Sequence, residues 1–273
     1  MLGDLEPRLI STSRGEKNGL QSSFRGCLNI VILVSNKSGV VDIMTGFRPR
    51  GWDELFEKEA NRWVKPNEYA HILVDGLRSG FQGEIRVLDV GYGTGRHLVY
   101  LHRKGFRISG FEITSNAQQF VDRKLSHLEG SRSIELRILD MHQIPWPYGS
   151  SSFKGVLAIN VIHHTNYEGF VKIINEIARI VVPKGLLLAT IASKHNHKYG
   201  KGKQIDDYSY LADSGAEKGI PHAFFDRQDL YRIFGEQYDI RMLEEITGEI
   251  PEADKHLRKE GIRDHWLIYA ERK

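Results

Sequence analysis

Three groups of residues in this chain have the types and spacing that chemistry requires. Gly91-Tyr92-Gly93-Thr94-Gly95 directly follows the apolar run Val87-Leu88-Asp89-Val90. Glycines serve in such a turn because the backbone must enter conformations closed to other residues and approach a ligand with no Cβ in the way. Glu112 stands 21 residues after Gly91, where a strand-end carboxylate can accept from both hydroxyls of a ribose and would repel a 2′-phosphate. The third group is Asn160-Val161-Ile162-His163-His164. A histidine near neutral pKa can take a proton from an oxygen or nitrogen nucleophile, which makes His164 the first candidate base, with packing or helix capping as the competing role for either ring.

These residues need strands that end side by side. From residue 85 onward, short β-rich runs alternate with helical stretches, the pattern of a doubly wound α/β fold with helices on both faces of a mostly parallel sheet. The strand expectations are Ile85 to Val90, Arg107 to Glu112, Ile134 to Asp140, Gly155 to Asn160 and Gly185 to Ile191, followed by Tyr238 to Leu243 and His265 to Ala270. The clearest helix is Tyr167 to Val182, where Phe170, Ile173, Ile174 and Ile177 fall on one face before Pro183 and Gly185 stop it. A second amphipathic pattern runs through Trp52, Leu55, Phe56, Ala60 and Trp63.

Residues 1–43 are expected to be an appendage to a single domain spanning 44–273. They are rich in Ser, Gly, Arg and Lys around one apolar run, read either as an extra strand from Asn29 to Val34 or as a non-native extension before Met44. Residues 194–225 lose all period among His195, His197, Tyr199, Tyr208 and Tyr210, and are expected to form a lid over the substrate.

Composition narrows the function classes. Lys and Arg total 38 against 35 acids, for a net charge of +3, so nothing favours nucleic acid as a partner. Cys27 is the sole cysteine, which rules out a disulfide framework and a thiolate zinc site and fits a cytoplasmic setting. No metal site is read from the sequence. The longest apolar run, Leu28 to Val34, is far short of the ~20 residues that span a bilayer.

Gly-x-Gly-x-Gly after Leu-Asp-Val resembles motif I of the class I S-adenosylmethionine-dependent methyltransferases. A dinucleotide fingerprint would instead want a small residue where Arg96 stands. The resemblance implies a seven-stranded sheet whose last strand is antiparallel, and S-adenosylmethionine as cofactor. It implies cofactor contacts from Asp89, Gly91, Tyr92, Gly93, Gly95, Glu112, Ile113 and Asn160, with Asp140 and Met141 holding adenine. Ile144-Pro145-Trp146-Pro147 and Ser152-Phe153 are similar to family segments, although Lys154 replaces the usual aspartate. Ile220-Pro221-His222-Ala223-Phe224-Phe225 and the terminal His265-Trp266 look like a group of small-molecule methyltransferases similar to type 11.

On this reading the transferable methyl faces His163 and His164, His222 joins His164 as a catalytic candidate, and the acceptor meets Trp63, His163, Tyr208, Tyr210 and Phe224. A monomer or homodimer acting on a small molecule is expected. Two alternatives compete. A short-chain NAD-dependent oxidoreductase matches Tyr199-x-x-x-Lys203, although Gly200 and Gly202 would each cost ~1 kcal/mol in the helix that pair needs. The other is a cofactor-binding protein without turnover. The Asn-Pro-Pro-aromatic signature of amino-directed nucleic-acid methyltransferases is absent after Asn160.

Overall fold

A computed structural model describes Trp52 and residues 65–129, 134–214, 217–249 and 263–273. The appendage 1–43 and Trp63 lie outside the described residues. The sheet has seven strands. In chain order these are β1 (Arg86–Val90), β2 (Arg107–Glu112), β3 (Glu135–Ile138), β4 (Phe153–Ala158), β5 (Val181–Ala192), and then β9 (Tyr238–Ile246) and β10 (His265–Arg272). Their spatial order is β3-β2-β1-β4-β5-β10-β9. The first five are parallel, and β10 runs antiparallel to both β5 and β9.

Alternating side chains explain why helices cover both faces. In β1, Leu88 and Val90 point into one apolar layer and Val87 into the other; in β5, Leu187, Ala189 and Ile191 oppose Leu186 and Leu188. Helices α1 (Ala70–Gly80), α2 (Arg96–Arg103) and α3 (Ser115–Leu125) cover the Val87 face. Helices α4 (Tyr167–Ile180) and α5 (Arg227–Phe234) cover the other. Side chains cap three helices: Thr114 accepts from Ala117 N–H at 3.2 Å, Asn166 from Gly169 N–H at 2.9 Å, and Asp226 from Asp229 N–H at 2.9 Å.

The sequence places the end of α4 at Val182, but the helix stops at Ile180 and β5 begins at once. Pro183 is the cause. It disfavours helical geometry in the residue before it and brings no N–H of its own. Pro183 and Gly185 therefore lie inside the strand, whose pairing with β4 jumps from Val181 to Leu186.

Residues 194–225 hold more order than their lost period suggests. They form a small antiparallel sheet of β6 (Lys203–Gln204), β7 (Ser209–Leu211) and β8 (Pro221–Ala223). It is tied to the main sheet where Ala223 N–H donates to His163 O at 2.8 Å and Phe225 N–H to Ala192 O at 3.1 Å. Tyr199 and Lys203 do not share a helix: Lys203 lies in β6, and Gly200 and Gly202 have φ of +74° and +82°.

Candidate functional site

The loop after β1 turns through three glycines with positive φ, Gly91 at +64°, Gly93 at +50° and Gly95 at +75°. At Gly91 the space is also closed, because a Cβ there would lie 2.4 Å from Val161 Cγ2. The neighbouring strand holds the loop in place. Gly91 N–H donates to Phe111 O at 2.9 Å, while Glu112 accepts from Gly93 N–H at 3.0 Å and from Ile113 N–H at 2.8 Å. Asp89 is buried beneath the loop, and burial pushes its carboxyl up to about 8, opposed by Arg96 and reinforced by Glu112.

The loop borders a groove with two lobes that meet at Gly91, Asn160, His164 and Trp52. The smaller lobe, about 530 Å³, lies between Phe111, Glu112, Ile113, Asp140, Met141 and Val161. In it Asp140 accepts from His142 N–H at 2.9 Å and from His142 Nδ1 at 2.7 Å. Burial opposes the charge, but those bonds hold the carboxyl below its ordinary range. Asn160, also at positive φ (+54°), is fixed by exchange with Thr190: its N–H donates to Thr190 Oγ1, which donates back to Asn160 Oδ1, both at 2.8 Å.

The larger lobe, about 870 Å³, is lined by Tyr92, Gly93, Arg96, His97, His163, His164, Lys198, Glu217, His222 and His265, among others. Histidines crowd it. The His164 ring lies 4.4 Å from that of His163 and 4.8 Å from those of His222 and Trp52, centre to centre. Burial pushes His164 down to about 4, partly offset by Glu217, so its ring is neutral at pH 7. Glu217 accepts from His222 Nε2 at 2.6 Å and from Lys198 Nζ. Burial works against its charge, yet Lys198 and His222 hold the carboxyl well below the usual carboxylate range. Across the mouth, Arg96 pairs with both oxygens of Glu249, whose carbonyl accepts from Asn160 Nδ2 at 3.1 Å.

The residues read from the sequence separate into three sets here. Gly91, Tyr92, Gly93, Glu112, Ile113, Asp140, Met141 and Asn160 line the groove, as do His163, His164 and His222. Asp89 and Gly95 do not: one is buried under the loop and the other caps α2. Tyr208, Tyr210 and Phe224 are also absent from the lining. Tyr208 stacks 4.5 Å from Tyr167 and accepts from Arg232 at 2.8 Å, while Phe224 is fully buried between Tyr199, Tyr210 and His222. Tyr208 joins the small sheet to α4, Tyr210 and Phe224 pack within it, and Lys198, Glu217 and His265, to which the sequence reading gave no acceptor contact, line the larger lobe. Glu217 sits in a turn five residues before His222, and no periodic signal marks it.

A family model described as a methyltransferase domain matches residues 87–185, the stretch that carries the glycine loop, Glu112, Asp140 and both central histidines. No curated protein matches the chain. Among solved structures, a SAM-dependent methyltransferase from Methanosarcina mazei superposes with a TM-score of 0.58 at 17% identity, covering 76% of this chain and 98% of its own. The 1,6-didemethyltoxoflavin-N1-methyltransferase of Burkholderia thailandensis, crystallised with 1,6-didemethyltoxoflavin and S-adenosylhomocysteine, gives 0.55 at 15% identity over 88% and 93% of the two chains. The geranyl diphosphate C-methyltransferase of Streptomyces coelicolor gives 0.53 at 16% identity over 75% and 76%. The structural likenesses speak for the fold, that of the class I S-adenosylmethionine-dependent methyltransferases, and the family match places a methyltransferase domain at residues 87–185.

Proposed function

We propose that the protein transfers the methyl group of S-adenosylmethionine to a small-molecule acceptor by in-line displacement. The observation that carries this reading is the two-lobed groove hinged on the glycine loop. One lobe suits an adenosine: Glu112 for the ribose hydroxyls, and the Asp140 carboxylate with the Met141 backbone for adenine, between the side chains of Phe111, Ile113 and Val161. The other lobe is open for an acceptor. The cofactor supplies an electrophilic methyl on a sulfonium, and the chain supplies alignment, which can account for much of the acceleration in a displacement of this kind.

The acceptor lobe mixes Trp52 and His163 with the polar groups of His164, Lys198 and His222. This suits a partly apolar molecule that presents an oxygen or nitrogen. The Burkholderia neighbour, an N1-methyltransferase crystallised with 1,6-didemethyltoxoflavin, is consistent with a nitrogen acceptor, while the Streptomyces neighbour, a C-methyltransferase, serves carbon on the same fold. Among the described residues no helix is long and apolar enough to cross a membrane.

Thermal unfolding with S-adenosylhomocysteine or NAD(P) tests the cofactor half of the reading. A hundredfold excess of S-adenosylhomocysteine over its dissociation constant should stabilise the protein by about 2.7 kcal/mol, with no shift from NAD(P). S-adenosylhomocysteine release across a panel of small nitrogen, oxygen and carbon nucleophiles tests the rest. Binding without turnover on any of them would favour a cofactor-binding protein.

A further inference from the structure

His164, Glu217 and His222 come from three separate places in the chain. His164 follows β4, Glu217 lies in the turn before β8, and His222 lies within β8. Each nonetheless brings one ligand-type atom to a common centre, all within 4.8 Å of one another, and all three residues are buried. We propose that these side chains form a binding site for one divalent first-row transition metal ion, with two imidazoles and a carboxylate as ligands.

The hydrogen bonds around His222 favour this reading. Its Nδ1 lies 3.0 Å from Ile220 O. A carbonyl only accepts, so Nδ1 carries the hydrogen and Nε2 points inward. Nε2 lies 2.6 Å from Glu217 Oε2, a contact bridged by a proton whose place a bound cation would take. A ring N–H donated to a backbone carbonyl is also the usual device for orienting a metal-bound histidine. His164 Nε2 stands 3.8 Å from Glu217 Oε1. That is too long for a hydrogen bond, but close to the ~3.4 Å separating two ligands that share a tetrahedral ion at about 2.1 Å. His163, against His164, has a buried Nδ1 with no hydrogen-bond partner among the described residues.

Two nitrogens and one oxygen suit Zn²⁺, Fe²⁺ or Co²⁺ and ill suit Mg²⁺ or Ca²⁺, which take mostly oxygen. Three protein ligands leave a position open. All three line the lobe that also contains Gly93 and Asn160, so that position can take an oxygen or nitrogen donor of the acceptor. In this arrangement the histidines act as ligands in place of accepting a proton. The site does not rest on methyl transfer, because metal uptake is read without cofactor or acceptor.

The test is metal stoichiometry on the full chain, stripped with a chelator, loaded separately with Zn²⁺, Co²⁺ or Mg²⁺ and desalted. One equivalent of Zn²⁺ or Co²⁺ and no retained Mg²⁺ are expected, with visible ligand-field bands in the cobalt form. His222→Phe and Glu217→Gln, checked for native circular dichroism, should each weaken Zn²⁺ binding at least tenfold. The cobalt spectrum uses the unaltered protein, so the test survives if either variant misfolds. No uptake by the wild type would overturn the proposal and leave the Lys198–Glu217 ion pair as the organising contact of the cluster. Uptake at full strength in both folded variants, or a cobalt spectrum without such bands, would overturn it as well.

Discussion

The cofactor lobe and the acceptor lobe share Gly91 and Asn160 yet are built on different principles. The first is assembled from strand ends adjacent in a parallel sheet: Glu112 closes β2, Asp140 follows β3, and Gly91 follows β1. Its polar groups are held largely by backbone, as with the two N–H groups on Glu112. The second is assembled from side chains that hold one another, with Lys198, Glu217 and His222 in one buried chain of bonds. A backbone-built site depends on the fold, whereas a side-chain-built one depends on residue identity, so on the proposed function acceptor specificity belongs to the second lobe.

That contrast can be broken most severely through Phe224, which is fully buried but off the groove. Phe224→Ala should cost about 3–5 kcal/mol of stability, read from urea midpoints, while S-adenosylhomocysteine affinity in the remaining folded protein stays within a few-fold of wild type. Loss of affinity at unchanged stability would make the small sheet part of the cofactor site.

Gly93→Val, by contrast, should leave the fold intact and weaken S-adenosylhomocysteine on the order of a hundredfold. A β-branched residue at φ +50° is strained and would crowd the lobe. Calorimetric titration measures it, and wild-type affinity would remove the glycine loop from the site. Glu112→Gln should lower affinity about tenfold, as expected when a charge-assisted hydrogen bond to ribose is replaced by a neutral one. An equal effect of Glu112→Gln on acceptor KM would erase the division between the lobes.

The subtlest effect belongs to Asp89. Its folded pKa of about 8 lies above the ordinary 3.8, so the unfolded chain gives up this proton first as pH rises. The contribution of Asp89 to stability is therefore complete below pH 4 and is lost progressively up to about pH 8. Asp89→Asn should flatten that part of the stability profile and gain on wild type at pH 8, read from urea midpoints at pH 4, 6 and 8. An unchanged slope would show that Asp89 is already ionised in the folded protein.

Legibility in the sequence followed the same division. β2 appears at the bounds its residues predicted, Arg107 to Glu112, because its buried interior from Ile108 to Phe111 is small or apolar and lies between a terminal base and a terminal acid. Strands β6 to β8 carry no such mark, since two or three residues cannot show a period. Tyr208 and Tyr210 suggested ligand contacts because they lie in the long aperiodic segment expected to form a lid; they pack against Tyr167 and Tyr199. The Arg96–Glu249 pair joins residues 153 positions apart, a contact that no local spacing could announce.

The position of β10 has a consequence for how the chain comes to be folded. The five parallel strands and their helices are complete by Ala192, but β5 then presents Leu186 to Ala192 along an open edge until His265–Arg272 has been synthesised and slots in against β9. During translation the nascent domain therefore carries an unpaired apolar strand for more than seventy residues, the kind of edge that recruits other chains. Any lesion that removes β10 should leave an aggregate rather than a smaller working enzyme.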